Sequence, residues 1–346
     1  MLAAPRFPLV EVAGSSYEMG CQHGALAAQL IERHIHWIER LTGIPRSGLA
    51  ERALAFVPHV EALSPALMDE VHGLAEGARI SLGEALLCQV RTEAAQVNPG
   101  GCTLFALTGS ATANGEPLVG QNLDLEPEYA EVAILLRVSP DDGRPAAVMV
   151  TFAGQLGYAG MNEHGLAHFN ASLYGYQWQL GVPRQALKRV MLEKRCVEEC
   201  VTLLGQHHVP SAASMMLCDG HGHLAGLEMR PGSVVRFAGG HPDCLLHTNH
   251  YLTPEFSALE TGFLPDSRPR LARLHELVRQ HWGCITVETM QGILADHQGD
   301  PAGICRHGAA GWHSIAGFIA EPTRRRLHVR RGHGCLGTWQ SCEMPL

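Results

Sequence analysis

The chain has 346 residues, 46% hydrophobic and 17% charged, with a formal net charge of −8. That balance suits a globular protein with a large core and argues against nucleic acid or an anionic membrane as the main partner. The opening MLAAPRFPLVEVAG is broken by Pro5, Arg6 and Pro8, and no apolar run of about 18 residues exists, so neither a secretory leader nor a membrane span is expected and the location reads as cytoplasmic.

In chain order, residues 17–42 predict a helix. Ser15 or Ser16 can cap it, Leu26, Leu30, Ile31, Ile35, Ile38 and Leu41 recur at helical spacing, and Gly43 ends it. Residues 49–63 and 66–77 continue the helical pattern, and 81–94 opens on a Ser81 cap. After Cys102 the texture changes to apolar runs joined by turns. Asn114-Gly115, Asp142-Gly143, His164-Gly165 and Gly220 each mark an antiparallel hairpin. Helices are expected at about 184–205, 267–281 and 286–296, and a last strand pair within HSIAGFIAEPTRRRLHVRR, whose basic stretch reads as a solvated hairpin. The pattern predicts the α+β class, with two antiparallel sheets face to face and helices outside. With no linker or repeat, residues 1–346 read as one domain. The 11 cysteines follow no small-scaffold spacing and are expected to be mostly free, buried thiols.

Within NPGGCTLFAL (98–107), Cys102 stands directly behind a Pro-Gly-Gly turn and at the start of a strand. A buried structural thiol after a turn is one reading. The other is a nucleophile at a cut site. A free thiol is only a few per cent ionised at pH 7, so attack on a carbonyl needs a base in reach. Cutting Gly101–Cys102 would create an α-amine with a reference pKa of about 7.7–8.0 on the nucleophile itself. Gly101, without a Cβ, lets sulfur approach its carbonyl.

Several short stretches fall in a telling order: YEMGCQHG, GGCT, GQNLDL, GMNEHGL, FNASL, HTNH, DSRPR and GICR. Together they resemble the acyl-coenzyme A:6-aminopenicillanic-acid acyltransferase family, a branch of the N-terminal-nucleophile hydrolases, over nearly the whole chain. The resemblance implies a four-layer αββα sandwich. It also implies an inactive precursor that cuts itself between Gly101 and Cys102, leaving a mostly helical fragment 1–101 associated with fragment 102–346 as a heterodimer. Cys102 would then be the nucleophile. Asp124 matches the acid that hydrogen-bonds the new α-amine, Asn249 the oxyanion-hole amide, and Asn170, less closely, a second polar contact to that oxyanion. Arg270 matches an arginine near the nucleophile, able to depress the thiol pKa or to hold Asp124. Ser214 matches a strand serine. His247 and His250 flank Asn249 and are candidates for shaping a substrate pocket.

The expected activity is hydrolysis of a small N-acyl amide through a thioester. The alternatives are acyl transfer to an amine, with acyl-coenzyme A as a donor substrate, or an uncut member that only binds a small ligand. No cofactor is expected. No metal is expected either, since Cys218, His221 and His223 in CDGHGH would diverge across a tight hairpin.

Overall fold

The computed structural model describes residues 6–97, 100–262, 264–308 and 311–344. Asn98 and Pro99 of the turn before Cys102 lie outside the described residues. Strand β1 (Leu9–Gly14) is followed by helices α1 (Ser16–Thr42), α2 (Arg46–Leu54), α3 (Val57–Leu63), α4 (Pro65–Ala78) and α5 (Leu82–Ala95). Strands β2 (Gly101–Leu107) and β3 (Leu118–Leu125) come next, then a short α6 (Tyr129–Val132) and β4 (Ala133–Pro140), β5 (Ala147–Phe152), β6 (Ala159–Asn162) and β7 (Ala167–Ser172). Helices α7 (Arg184–Met191) and α8 (Val197–Gln206) lead into β8 (Ala213–Cys218), β9 (Leu224–Arg230), β10 (Ser233–Phe237) and β11 (Cys244–His247). The rest comprises α9 (Pro254–Ser257), α10 (Ser267–Gln280), α11 (Val287–Ile293), β12 (His313–Glu321), β13 (Arg326–Arg331) and β14 (Trp339–Glu343).

Local chemistry explains much of this. Ser15 caps α1 in a reciprocal box with Glu18, Ser81 does the same for α5 with Glu84, and Gly43 closes α1 in the left-handed region. Gly115, Gly143 and Gly165 hold positive φ in the turns of their hairpins. At the hairpin around Gly220, the left-handed residue is instead Gly222. The helix expected at 49–63 is broken at Ala55–Phe56, where Pro58 opens α3. The one expected over 184–205 stops at Met191, because Asn162 of β6 donates to the carbonyls of Leu192 and Lys194.

Among the described residues an eight-stranded sheet runs β1-β4-β5-β6-β7-β8-β9-β10 and a six-stranded sheet runs β11-β2-β3-β12-β13-β14. The pairs are antiparallel except β1 with β4, which is parallel. The first sheet is therefore mixed rather than wholly antiparallel, because the N-terminal strand joins its edge by a long-range pairing. Alternation along each strand sends neighbours into different layers. Leu104, Leu123, Phe169, Met216 and Phe318 fill the space between the sheets. Leu136, Met149, Leu217 and Leu227 face outward onto Ile31, Ile35, Leu74 and Leu86 of the N-terminal helices. Phe105, Leu107 and Ile319 face Leu274, Val278 and Met290 on α10 and α11. The result is the four-layer αββα sandwich. Its first helices pack on the sheet, not merely on each other. The basic stretch near the end departs from a solvated hairpin. Arg324 and Arg326 pair at the surface with Glu116 and Glu343, but Arg330 is fully buried and donates to Asn122 Oδ1 at 2.9 Å.

Candidate active site

Cys102 is the second residue of β2 and is buried. The register pairs Gly101 with Asp124 and Cys102 with Leu123. Alternation therefore turns Cys102 toward the layer between the sheets and Asp124 toward the α10 layer. Gln121 shares the Cys102 face. Its Nε2 lies 3.7 Å from Sγ, and its Oε1 accepts the Asn170 N–H at 2.9 Å.

The peptide around the expected cut is gripped from several elements. The Cys102 N–H donates to Asn249 Oδ1 at 2.8 Å, and Arg270 Nη2 donates to the same oxygen at 2.8 Å. Arg270 Nη1 donates to the Cys102 carbonyl at 2.5 Å and to Thr103 Oγ1 at 3.1 Å. Tyr174 donates to the Gly100 carbonyl at 2.6 Å. Behind these, Asp266 Oδ2 accepts from Arg270 Nε at 2.7 Å and Arg306 Nη1 at 2.6 Å, and Ser267 Oγ accepts the Asn249 N–H at 2.7 Å. A Cβ built on Gly101 would fall 3.3 Å from both the Arg270 and Arg306 guanidiniums.

The other expected residues divide. Asp124 is fully buried, and its Oδ1 accepts from Ser314 Oγ at 2.6 Å. Its Oδ2 has no hydrogen-bond partner among the described residues. The Cys102 N–H thus goes to Asn249, not to Asp124. Asn249 Nδ2 donates to the Ser172 carbonyl at 2.9 Å. Asn170 lines a narrow pocket with Cys102, and its buried Oδ1 has no hydrogen-bond partner among the described residues. Arg270 holds Asp266 rather than touching Asp124. Ser214, His247 and His250 are not brought to that pocket. Ser214 pairs with Ala171 and Glu228, His247 bonds Glu228 Oε1 at 2.9 Å, and His250 bonds Ser267 Oγ at 2.8 Å. In CDGHGH, Asp219 takes the His221 and His223 N–H groups and organises the turn.

The pocket at Cys102 has about 10 Å³ of free space, room for roughly one water. It is lined by Arg91 of α5 and by Arg184 and Lys188 of α7, and Arg184 lies 3.9 Å from the buried Glu93. Burial, with Arg184 nearby, holds the Lys188 ammonium well below its usual pKa. Burial also pushes the Cys102 thiol up to about 12; the Asp124 charge adds to this and Arg270 opposes it. Burial raises Asp124, against the pull of Arg270, Arg306 and the Ser314 hydrogen bond. Arg270 thus pulls the thiol pKa down, as expected, but burial outweighs it.

Residues 110–334 match the family described as acyl-coenzyme A:6-aminopenicillanic acid acyl-transferase. The chain belongs to this family. The matched range begins beyond Cys102 and takes in Asp124, Asn170, Asn249 and Arg270. Over 334 residues the chain is 28% identical to the acyl-coenzyme A:6-aminopenicillanic-acid-acyltransferase 40 kDa form of Emericella nidulans, covering 92% of this chain and 91% of that one. Among solved structures, penicillin V acylase from Agrobacterium tumefaciens superposes with a TM-score of 0.50 at 14% identity, covering 70% of this chain and 86% of that one. That likeness shows the N-terminal-nucleophile hydrolase fold. A mutant conjugated bile acid hydrolase from Clostridium perfringens gives a TM-score of 0.49 at 13% identity, over 70% and 97% of the two chains.

Gln121, Tyr174, Asp266, Ser267, Arg306 and Ser314 were missed in the sequence. Gln121, Asp266, Ser267 and Arg306 lie within GQNLDL, DSRPR and GICR, and Gln121 also stands out as a polar residue in phase with Val119, Leu123 and Leu125 on a core face. Gly100 is also more constrained than the turn suggested. Its φ is +78°, and a Cβ there would fall 2.1 Å from the Asp124 carbonyl. Gly100→Ala is expected to destabilise the fold by more than about 1 kcal/mol, read as a lower urea midpoint in an uncut Cys102→Ala background.

Proposed function

We propose that the chain cuts its own Gly101–Cys102 bond and then uses Cys102 as an N-terminal nucleophile to hydrolyse a small N-acyl amide. The supporting observation is the grip on the two peptide groups that flank the Cys102 Cα. Asn249 Oδ1 holds the Cys102 N–H at 2.8 Å and Arg270 holds the Cys102 carbonyl. In the cut, Cys102 Sγ attacks the Gly101 carbonyl carbon and its proton passes to the Cys102 nitrogen. The C–N bond breaks, leaving Gly101 as a thioester on Sγ, and water releases Gly101 as a carboxylate beside Arg270 and Arg306.

In turnover the new α-amine takes the Sγ proton. Sulfur attacks the substrate amide, a side-chain N–H of Asn249 or Asn170 meets the developing oxyanion, and the amine departs with a proton. Water then hydrolyses the thioester.

A second reading is supported by the likeness to the Emericella nidulans acyl-coenzyme A:6-aminopenicillanic-acid-acyltransferase. Here an amine, not water, takes the acyl group. Intact-mass measurement tests the first step. The purified chain is expected as two pieces split before Cys102, and Cys102→Ala as one. A wild-type chain that stays whole for days overturns self-cutting and leaves the ligand-binding alternative. Incubating the processed protein with N-acyl amines, with and without acyl-coenzyme A plus an amine, separates hydrolysis from transfer. The acyl mass should appear on the 102–346 fragment.

A further inference from the structure

A second cluster of chemically active side chains forms where the loop after α11 meets the loop after β13. His297, Cys305 and His307 come from the first loop and Cys335 from the second. One nitrogen or sulfur from each lies within 4.8 Å of those of the other three. His297 Nε2 and His307 Nε2 are 2.8 Å apart, and Cys335 Sγ is 3.5 Å from His307 Nε2. Donor atoms on a tetrahedral zinc stand about 3.3–3.8 Å apart, as follows from Zn–N and Zn–S bonds of about 2.0–2.3 Å. The cluster is thus close to ligand spacing already. It is the one group of this kind among the described residues.

We propose that His297, Cys305, His307 and Cys335 bind one zinc ion in a tetrahedral two-sulfur, two-nitrogen site. Thiolate with imidazole in that geometry selects zinc over the harder cations. Four protein donors fill the coordination shell, which makes the site structural rather than catalytic.

The surrounding backbone is organised independently of the four side chains. The Cys305 N–H donates to the Asp296 carbonyl and the Asp300 N–H to the His297 carbonyl, each at 2.9 Å, closing the first loop. Arg273 anchors Asp296 through bonds of 3.1 and 2.8 Å. Gly334 sits so close to the end of α11 that a Cβ there would fall 2.4 Å from the Leu294 carbonyl. The second loop is therefore seated on the first at the point where Cys335 reaches in.

The site would clamp what lies behind the cut bond. Arg306 stands between Cys305 and His307. Its guanidinium holds Asp266, and its N–H donates to Ser314 Oγ at 2.9 Å, the hydroxyl that donates to Asp124. A metal here fixes the segment that supports both acids. The sequence suggested no such site, since its donors are spread from residue 297 to 335 and match no short zinc spacing.

The full-length chain, purified without a polyhistidine tag or chelator, is expected to carry about one zinc per chain by elemental mass spectrometry. After chelation, cobalt(II) added at one equivalent should give the visible bands and near-ultraviolet sulfur-to-cobalt charge transfer of a tetrahedral thiolate site. Cys335→Ser, at an exposed position, and His297→Ala should each lose the zinc, while the exposed Cys284→Ser keeps it. Chelator should lower the melting temperature of the wild-type chain but not of Cys335→Ser. Absence of zinc together with no cobalt spectrum in the wild-type chain overturns the proposal. So does full zinc in Cys335→Ser, or a Cys305–Cys335 disulfide in non-reducing peptide maps.

Discussion

Asn249→Ala is expected to leave most of the chain uncut, and any processed fraction should turn over about 10²–10³-fold more slowly. Two separate functions of one amide underlie this. Its Oδ1 accepts the Cys102 N–H and an Arg270 N–H, and its Nδ2 donates to the Ser172 carbonyl at the edge of the Cys102 pocket. Truncation leaves the Cys102 N–H buried without its acceptor, at about 1–3 kcal/mol for such a group. Asn249→Asp separates the two functions. A carboxylate still accepts from Cys102 and Arg270 but offers no N–H to an oxyanion. Asn249→Asp should therefore be cut in full while its kcat falls as far as that of Asn249→Ala. Mass spectrometry of the cut and steady-state kinetics of the pieces read the two effects apart. An Asn249→Asp enzyme with wild-type kcat would remove Asn249 from oxyanion stabilisation.

The features that were legible in the sequence are those fixed within a few residues. The caps at Ser15 and Ser81 and the turns at Asn114-Gly115, Asp142-Gly143 and His164-Gly165 carry their geometry in neighbouring side chains. The break before α3 was also readable from Pro58, though the apolar spacing around it outweighed the proline. What escaped depends on distant partners. The end of α7 is set by Asn162, two strands earlier, and β1 finds its place by pairing with β4, more than a hundred residues on. At the site, Cys102, Asp124, Asn170, Asn249 and Arg270 were singled out by short motifs. The motifs carried residue types but not facing directions. Strand alternation puts the Asp124 carboxyl on the opposite side of its sheet from the thiol, which no single stretch announces. His247 and His250 flank Asn249 in sequence, yet their rings go to Glu228 and Ser267. Adjacency in the chain was a poor guide where a loop turns each side chain toward a different element.

Arg270→Met is expected to destabilise the uncut chain by about 3 kcal/mol and to slow the cut at neutral pH. Breaking one side of a buried ion pair typically removes about 3–5 kcal/mol. The lower end applies because Arg306 still holds Asp266 at 2.6 Å. The chemical effect adds to the structural one. Arg270 is the nearby cation that pulls the Cys102 thiol down against burial and the Asp124 charge. Without it the thiol protonates more firmly, and the Cys102 carbonyl loses its donor. The sign of the pH dependence follows. The wild-type thiol stands at about 12, so the thiolate fraction rises about tenfold per pH unit up to that point, and cutting should quicken with pH across the neutral range. Turnover by the processed enzyme depends instead on an α-amine near pKa 7.7–8.0 and should level off above about pH 8. Arg270→Met should shift the cutting profile to higher pH while leaving the α-amine limb of turnover nearly in place. Arg270→Lys keeps a charge but not the planar fork that spans the Cys102 carbonyl and Asn249, so it should recover part of the pH shift and little of the stability. Urea unfolding in the Cys102→Ala background and first-order cutting rates across pH measure the two effects separately. A cutting rate in Arg270→Met equal to wild type at pH 7 would show that the grip on Cys102 is structural alone.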